Sequence, residues 1–233
     1  MNLAIDFGNT RIKTGLFEGE ELIQKEVFSS LSEVVDYSST IHFQHCIISN
    51  VSYPIKEVQE VFPNALQVSA KLKMPFENDY STPHTLGVDR LALVAGAMTL
   101  ASLDDLLAID LGTCITYDFL QGGRYQGGAI SPGVNLRSKA LHNFTHKLPL
   151  VETIQEGNLV GDSTIDSILS GLINGVAFEV EGFIVKYQEK YPNLKVFLSG
   201  GDAEFFESKI NQSIFVEPNL ALLGLNKILL ENN

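Results

Sequence analysis

The sequence predicts an α/β protein of two lobes built on one plan. Three observations carry that expectation. Strand-like apolar runs alternate with helix-patterned segments along the chain. The hexapeptide LAIDFG at 3–8 returns as LAIDLG at 107–112. Each copy then leads into the same kind of turn, Asp-x-Gly followed by small hydroxyl or amide residues and a further strand. A long-period echo of this kind marks internal duplication, and it divides the chain into an N-terminal lobe, 1–103, and a C-terminal lobe, 104–233.

The elements follow in order. LAIDF is a short apolar run of strand type; GNT breaks it, and RIKTGLF resumes with period-two character. HCIISNV at 45–51 reads as a buried strand ending in polar turn residues. LGVDRLALVAGAMTLAS, 86–102, reads as a helix rich in Ala and Leu with Asp89 and Arg90 in its first turn. LLAID is strand again, followed by GTCITYDFL and a turn at QGG. Residues 164–190 carry apolar positions at helical spacing (Ile165, Ile168, Leu169, Leu172, Val176, Val180, Phe183), which predicts a long helix or two. KVFLSGGDAEFF reads as strand, Gly-Gly turn and helix, and NLALLGLNKILL as a closing helix.

Bulk properties narrow the class. The 233 residues are 45% hydrophobic and 19% charged, ordinary for a globular protein. No apolar run approaches the roughly 20 residues that span a bilayer, and the start, MNLAIDFGNT, lacks the basic stretch of a secretory signal. No membrane association is expected. The two cysteines, Cys46 and Cys114, form no C-x-x-C pair and read as buried reduced thiols of a cytoplasmic protein. A net charge of −12 opposes binding to nucleic acid. The His42/His45 and His142/His146 pairs lack a third ligand at a recognisable spacing, so packing or surface roles are expected.

The chemistry lies in the repeated turns. Gly8 and Gly112 let backbone turn tightly and approach a ligand. Asn9, Thr10 and Thr113 add side-chain donors to exposed turn N–H groups, which together make an anion cradle. Lys13 reaches toward a phosphate as a point charge. Asp6 and Asp110 cannot bind phosphate directly; they make sense as holders of a cation that bridges to it. Two such turns facing each other across a cleft would clamp a nucleoside triphosphate. The Gly pair of LSGGDA, 198–203, is a third element on which adenine or ribose could lie flat. Neither the P-loop nor the G-x-G-x-x-G signature is present.

The ordered set DFGNTRIK, YSTPHTLGVDR, DLGTCITYD, GGAISPG, STIDSILSG and LSGGDA resembles the acetate and sugar kinase, heat-shock protein and actin superfamily, and within it the type III pantothenate kinases. The resemblance runs nearly end to end. It departs at Cys114, where the family usually has Ala, at Val88, where Ala is common, and in a short chain. It implies two duplicated ribonuclease-H-like lobes, mixed sheets flanked by helices, around a nucleotide cleft. It implies ATP-dependent phosphorylation of pantothenate to 4'-phosphopantothenate, the first step of coenzyme A biosynthesis. The implied ATP-binding residues are Asp6, Phe7, Gly8, Asn9, Thr10, Arg11, Ile12, Lys13, Gly112 and Thr113. Asp6 would act with magnesium through water, and Asp110 would hold a monovalent cation, potassium or ammonium.

On the acceptor side, a kinase for a small carboxylate-bearing alcohol needs a base near the hydroxyl and a cation for the carboxylate. Asp89 suits the first role and Arg90 the second; an Arg at a helix N-terminus opposes the dipole, which hints at a use beyond an ion pair. The resemblance implies Asp89 as catalytic base and Tyr80, Gly87, Val88, Asp89, Arg90 and Thr164 as substrate contacts, Thr164 from the partner subunit of a homodimer. Locally, Ser163 or Thr164 reads as a helix N-cap. The alternative function is a nucleotide-dependent switch on the same actin-like fold, for which 233 residues leave little room.

Overall fold

The structure, a computed structural model, describes residues 1–101, 105–152 and 155–233. In chain order the elements are β1 (Asn2–Phe7), β2 (Ile12–Glu18), β3 (Glu21–Phe28), α1 (Leu31–Thr40), β4 (His45–Asn50), α2 (Ile55–Val61), β5 (Leu66–Gln67) and β6 (Glu77–Asn78). After a single 3-10 turn at Pro83–Thr85 come α3 (Val88–Ala101), β7 (Leu106–Leu111), β8 (Cys114–Gln121), β9 (Arg124–Pro132), α4 (Val134–Asn143) and α5 (Thr164–Lys190). The chain closes with β10 (Lys195–Ser199), α6 (Ala203–Glu207), β11 (Phe215–Val216) and α7 (Leu220–Glu231).

Two sheets repeat one strand order. The first runs β3-β2-β1-β4-β5, the second β11-β10-β7-β8-β9-β6. Read outward from the strand that carries the repeated hexapeptide, β1 has β2 and β3 on one side and β4 and β5 on the other. β7 likewise has β8 and β9 on one side, β10 and β11 on the other. The echoed sequence is therefore the central strand of each sheet. In the first sheet β1 pairs antiparallel with β2 and parallel with β4, so the sheet is mixed. The short β6 is extra, added parallel to β9 at its edge.

Central position explains the composition of the repeat. Leu3, Ala4, Ile5 and Phe7 are fully buried, as are Leu106, Leu107, Ala108 and Ile109. A strand covered on both faces reads as a continuous apolar run rather than an alternating one. Leu3, Ile5 and Phe7 share one core cluster with Val34 of α1 and Val58 of α2. Alternation puts Ala4 and Asp6 on the opposite face, and α7 also packs against β1.

Two compact units divide the chain. One comprises Met1–Leu106, Asp118–Gly127 and Asn219–Asn233; the other comprises Leu107–Tyr117 and Gly128–Pro218. The expected boundary at 103 and 104 lies outside the described residues, as does Ser102 at the end of the expected helix 86–102. The closing helix α7 belongs to the first unit, not to a C-terminal lobe, because its buried Leu220, Leu222, Leu225, Ile228 and Leu229 pack on α3, β1 and β4. α3 is correspondingly buried almost all round, with Leu91 through Ala97 inside.

The pattern at 164–190 forms one helix of 27 residues. Sequence inspection finds no unbroken apolar run of spanning length, yet α5 is by length and composition alone long and apolar enough to cross a membrane. Its Ile168, Leu172, Ile173, Val176, Val180 and Ile184 are buried, and the Phe183 ring stacks on Tyr117 at 4.1 Å between centroids. Its N-cap is Ser163, whose Oγ accepts from the Asp166 N–H at 3.1 Å; Thr164 is the exposed first helical residue. Cys46 is buried, which pushes its thiol up to about 12, but Cys114 is only half-buried, contrary to expectation.

Candidate active site

In the first unit the β1–β2 turn and the start of α3 form one charged locus. Register places Asp6 opposite Lys13 on one side and Ser49 of β4 on the other. Burial pushes the Asp6 carboxyl up to about 6; the Ser49 hydroxyl draws it back, the negative charge of Asp89 adds to the rise, and Lys13 opposes it. Its Oδ1 is shut off from solvent with no hydrogen-bond partner in the protein. Of the charges that act on it, Lys13 alone is positive. Gly8 does not have a left-handed backbone; a Cβ there would lie 3.1 Å from the Arg11 carbonyl oxygen, a tight contact that a small shift of the turn would have to relieve. Phe7 and Ile12 bury their side chains in the core and offer a ligand only backbone, while Asn9, Thr10 and Arg11 are exposed.

The start of α3 is shaped by Gly87. A Cβ on Gly87 would fall 2.4 Å from Asp89 Oδ1, the oxygen that also accepts from the Arg90 N–H at 2.9 Å. Glycine thus lets the Asp89 carboxylate fold back over the helix start. Arg90 turns inward, 6% exposed. Its Nε donates to Asp118 Oδ1 at 2.8 Å, and the Tyr125 hydroxyl donates to the same oxygen at 2.7 Å. Burial works to lower the Arg90 pKa, but the Asp118 carboxylate outweighs it and holds the guanidinium above its ordinary value. The Tyr80 ring lies over this cation, 6.0 Å from Cζ to centroid.

In the second unit three quoted motifs converge. The Gly112 N–H donates to the Cys114 carbonyl at 3.1 Å, closing the turn between β7 and β8. Gly133, the last residue of GGAISPG, donates its N–H to the Thr113 carbonyl at 3.0 Å; a Cβ on it would lie 2.2 Å from the Gly112 carbonyl oxygen. Gly200, in the left-handed region at φ +100°, packs on the Asp110 carboxylate and the Leu111 backbone, where a Cβ would come within 2.4 Å of Asp110 Oδ1. The Asp202 N–H donates to the Leu111 carbonyl at 3.0 Å, and burial raises the Asp202 carboxyl. So DLGT, GGAISPG and LSGGDA form one backbone cluster around Asp110, with the N-terminus of α4 beginning at Val134.

One carboxylate braces that cluster from behind. Glu179 of α5 accepts from the Tyr117 hydroxyl at 2.9 Å, from the Ser131 hydroxyl and from the Arg137 guanidinium. Burial works to raise the Glu179 pKa, but the three donors, Ser131 first, hold it below the ordinary glutamate value. Arg137 Nε also donates to the Pro132 carbonyl at 2.7 Å, beside Gly133.

A sequence model described as type III pantothenate kinase matches residues 2–186. The chain belongs to the type III pantothenate kinase family. A Cytophaga hutchinsonii protein named type III pantothenate kinase is 43% identical over 231 residues, 98% of each chain. Another, from Christiangramia forsetii, is 42% identical over 237 residues, again 98% of each. Among solved structures, a Baf family protein from Campylobacter jejuni superposes with a TM-score of 0.67 at 21% identity, covering 99% of this chain and 98% of its own. A ROK hexokinase from Thermus thermophilus gives 0.53 at 14% identity, covering 97% and 96%. These two similarities show the fold.

For this pantothenate kinase family member the expected residues fall in two groups, one per unit. Asp6 to Lys13 with Tyr80 and Gly87 to Arg90 belong to the first unit; Asp110, Gly112, Thr113 and Thr164 belong to the second. The sequence singles out neither Tyr125 nor Glu179, offers Asp118 only as a structural residue, and contains Gly133 only as the end of GGAISPG. The signal for Glu179 is a lone carboxylate within an apolar helical pattern; the signal for Asp118 is a charge in the buried strand ITYDFL.

Proposed function

We propose that the chain transfers the γ-phosphoryl group of ATP to the primary hydroxyl of pantothenate, giving 4'-phosphopantothenate. The observation that carries this reading is the start of α3, where a carboxylate folded back by Gly87 stands next to a buried, Asp118-paired arginine. Asp89 takes the hydroxyl proton as the new P–O bond forms and the bond to ADP breaks. Arg90 receives the acceptor's carboxylate, with Tyr80, Gly87 and Val88 around it and Thr164 completing the pocket from a partner subunit. Asp6 through Lys13 and Gly112 with Thr113 contact the nucleotide phosphates.

Magnesium fits Asp6, whose buried Oδ1 has no partner. Among the described residues no cluster of three or more His, Cys, Asp or Glu could hold a metal, so phosphate oxygens and water must complete its shell. Bound there, magnesium supplies neutralisation of phosphate charge. Asp110, pressed between Gly112 and Gly200, is proposed to hold potassium or ammonium. Homodimerisation is proposed through α5, where Phe178 is 58% and Val185 37% exposed and a Cβ on Gly171, Gly175 or Gly182 would meet nothing. Action in the cytoplasm accords with a small-molecule kinase.

The test is ADP release from ATP with and without pantothenate. Release that depends on pantothenate is expected; release indifferent to it favours the switch alternative. Equal rates in sodium and potassium would remove the Asp110 assignment.

A further inference from the structure

Arg90 is held more tightly than a carboxylate clamp needs. Its guanidinium is inside the first unit; Nε goes to Asp118, which is fully buried and receives the Tyr125 hydroxyl on the same oxygen. The Tyr80 and Tyr125 rings lie 6.0 Å apart, and the Tyr80 ring covers the cation. Gly127, at φ +99°, is pressed against Tyr80, where a Cβ would lie 3.0 Å from the ring. This packing leaves one piece of the cation unused: Nη2 is shut off from water and has no hydrogen-bond partner in the protein. A buried charged donor without an acceptor is unfavourable until something accepts from it.

Arg90 and Asp118 together are formally neutral, and the carboxylates of Asp6 and Asp89 stand nearby, close enough for each to act on the other's charge. Lys13, opposite Asp6 in the strand register, opposes the Asp6 charge at the same locus.

We propose that Asp118, fixed by Tyr125, is the positioning residue of the acceptor site: through Nε it holds the Arg90 guanidinium in the orientation that receives the acceptor's carboxylate. This rests on the reading that Arg90 receives the acceptor's carboxylate. Neither Asp118 nor Tyr125 touches the substrate; both act through Arg90.

The experiment compares the full-length wild-type chain with Tyr125→Phe and Asp118→Asn. Acceptors are pantothenate and its analogue in which the carboxylate is reduced to the alcohol, each at saturating ATP, with the KM for ATP measured separately. Expected for Tyr125→Phe is a rise of about tenfold in the KM for pantothenate, the worth of one hydrogen bond to a charged group. The kcat stays within about twofold, the KM for ATP is unchanged, and the preference for pantothenate over the alcohol shrinks by about the same tenfold factor. Asp118→Asn shrinks it further. Should Asp118→Asn fail to fold, Tyr125→Phe decides alone, since it keeps the ring packing and removes only the hydroxyl. An unchanged preference in folded Tyr125→Phe, or equal rises in both KM values, overturns the inference while pantothenate kinase activity stands. A wild-type chain that does not phosphorylate pantothenate removes the proposed function, and the inference with it.

Discussion

Gly96 of α3 and Gly224 of α7 meet backbone to backbone. A Cβ on Gly224 would lie 1.8 Å from the Ala92 carbonyl oxygen and 2.5 Å from the Gly96 nitrogen, and one on Gly96 would lie 1.9 Å from the Leu220 carbonyl oxygen. Neither neighbour is a side chain that can rotate away. Gly96→Ala and Gly224→Ala are each expected to destabilise the chain by about 3 kcal/mol or more, through forced separation of two core helices. At this size that is a fall of roughly 6–12 °C in Tm. Thermal unfolding followed by circular dichroism checks it, and a Tm within about a degree of wild type would show that the helices are not this close.

Asp89 is approached from two directions. Asp89→Asn keeps the shape of the side chain and removes its basicity, so kcat is expected to fall by about 10²–10⁴ with the KM for ATP unchanged. Gly87→Ala leaves the carboxylate in place chemically but occupies the space into which it folds, so it is expected to lower kcat at least about tenfold through displacement. Steady-state kinetics of both variants test the pair; a fully active Asp89→Asn excludes it as the base.

Asp6 makes stability depend on pH in a particular direction. Its carboxyl titrates near 6 in the native chain, above its ordinary value of 3.8, so between about pH 4 and 6 the native state holds a proton that the unfolded chain has released. Stability of the ligand-free chain therefore falls as pH rises through this window. A two-unit shift corresponds to about 3 kcal/mol, and partial solvent access reduces that to about 1–2 kcal/mol. Asp6→Asn is expected to flatten this segment of the curve and to abolish turnover. Parallel Tm-versus-pH curves for variant and wild type would contradict it.

Glu179 gives a remote handle on the second phosphate turn. Glu179→Gln keeps the shape but removes the charge that Arg137 and the two hydroxyls share. The expected result is a loss of about 1–2 kcal/mol together with a severalfold higher KM for ATP, because Pro132 and Gly133 lose their brace beside Thr113. Kinetics and thermal unfolding decide, and an unchanged KM for ATP would confine Glu179 to a role in folding.

Sequence alone shows what is local. LAIDF and LAIDLG stand out because a central strand is apolar on both faces, and a carboxylate at its end interrupts that run. The Ser163 cap and the helix from Thr164 follow from residues within one or two turns. Long-range pairings are not legible. The partner of Arg90 lies 28 residues away and is chosen by which strand of the second sheet its helix meets. The three-motif cluster around Asp110 joins residues as far apart as Gly112 and Gly200, and only the packing of one glycine on another segment's backbone reveals it. β6, two residues long, has no pattern to read; its register is pinned from outside by Arg124, which pairs with Glu77 and Asp79.

The return of α7 to the first unit has a bearing on biosynthesis. The helix that covers β1 and locks against Gly96 spans Leu220–Glu231, so a ribosome must translate past the whole second unit before the first can finish its core. Residues 1–106, although made earliest, wait exposed along the α7-binding face of α3 until the C-terminal segment emerges. Premature termination anywhere before Leu220 strands that apolar face in water, and the order in which the units mature is the reverse of the order in which they begin.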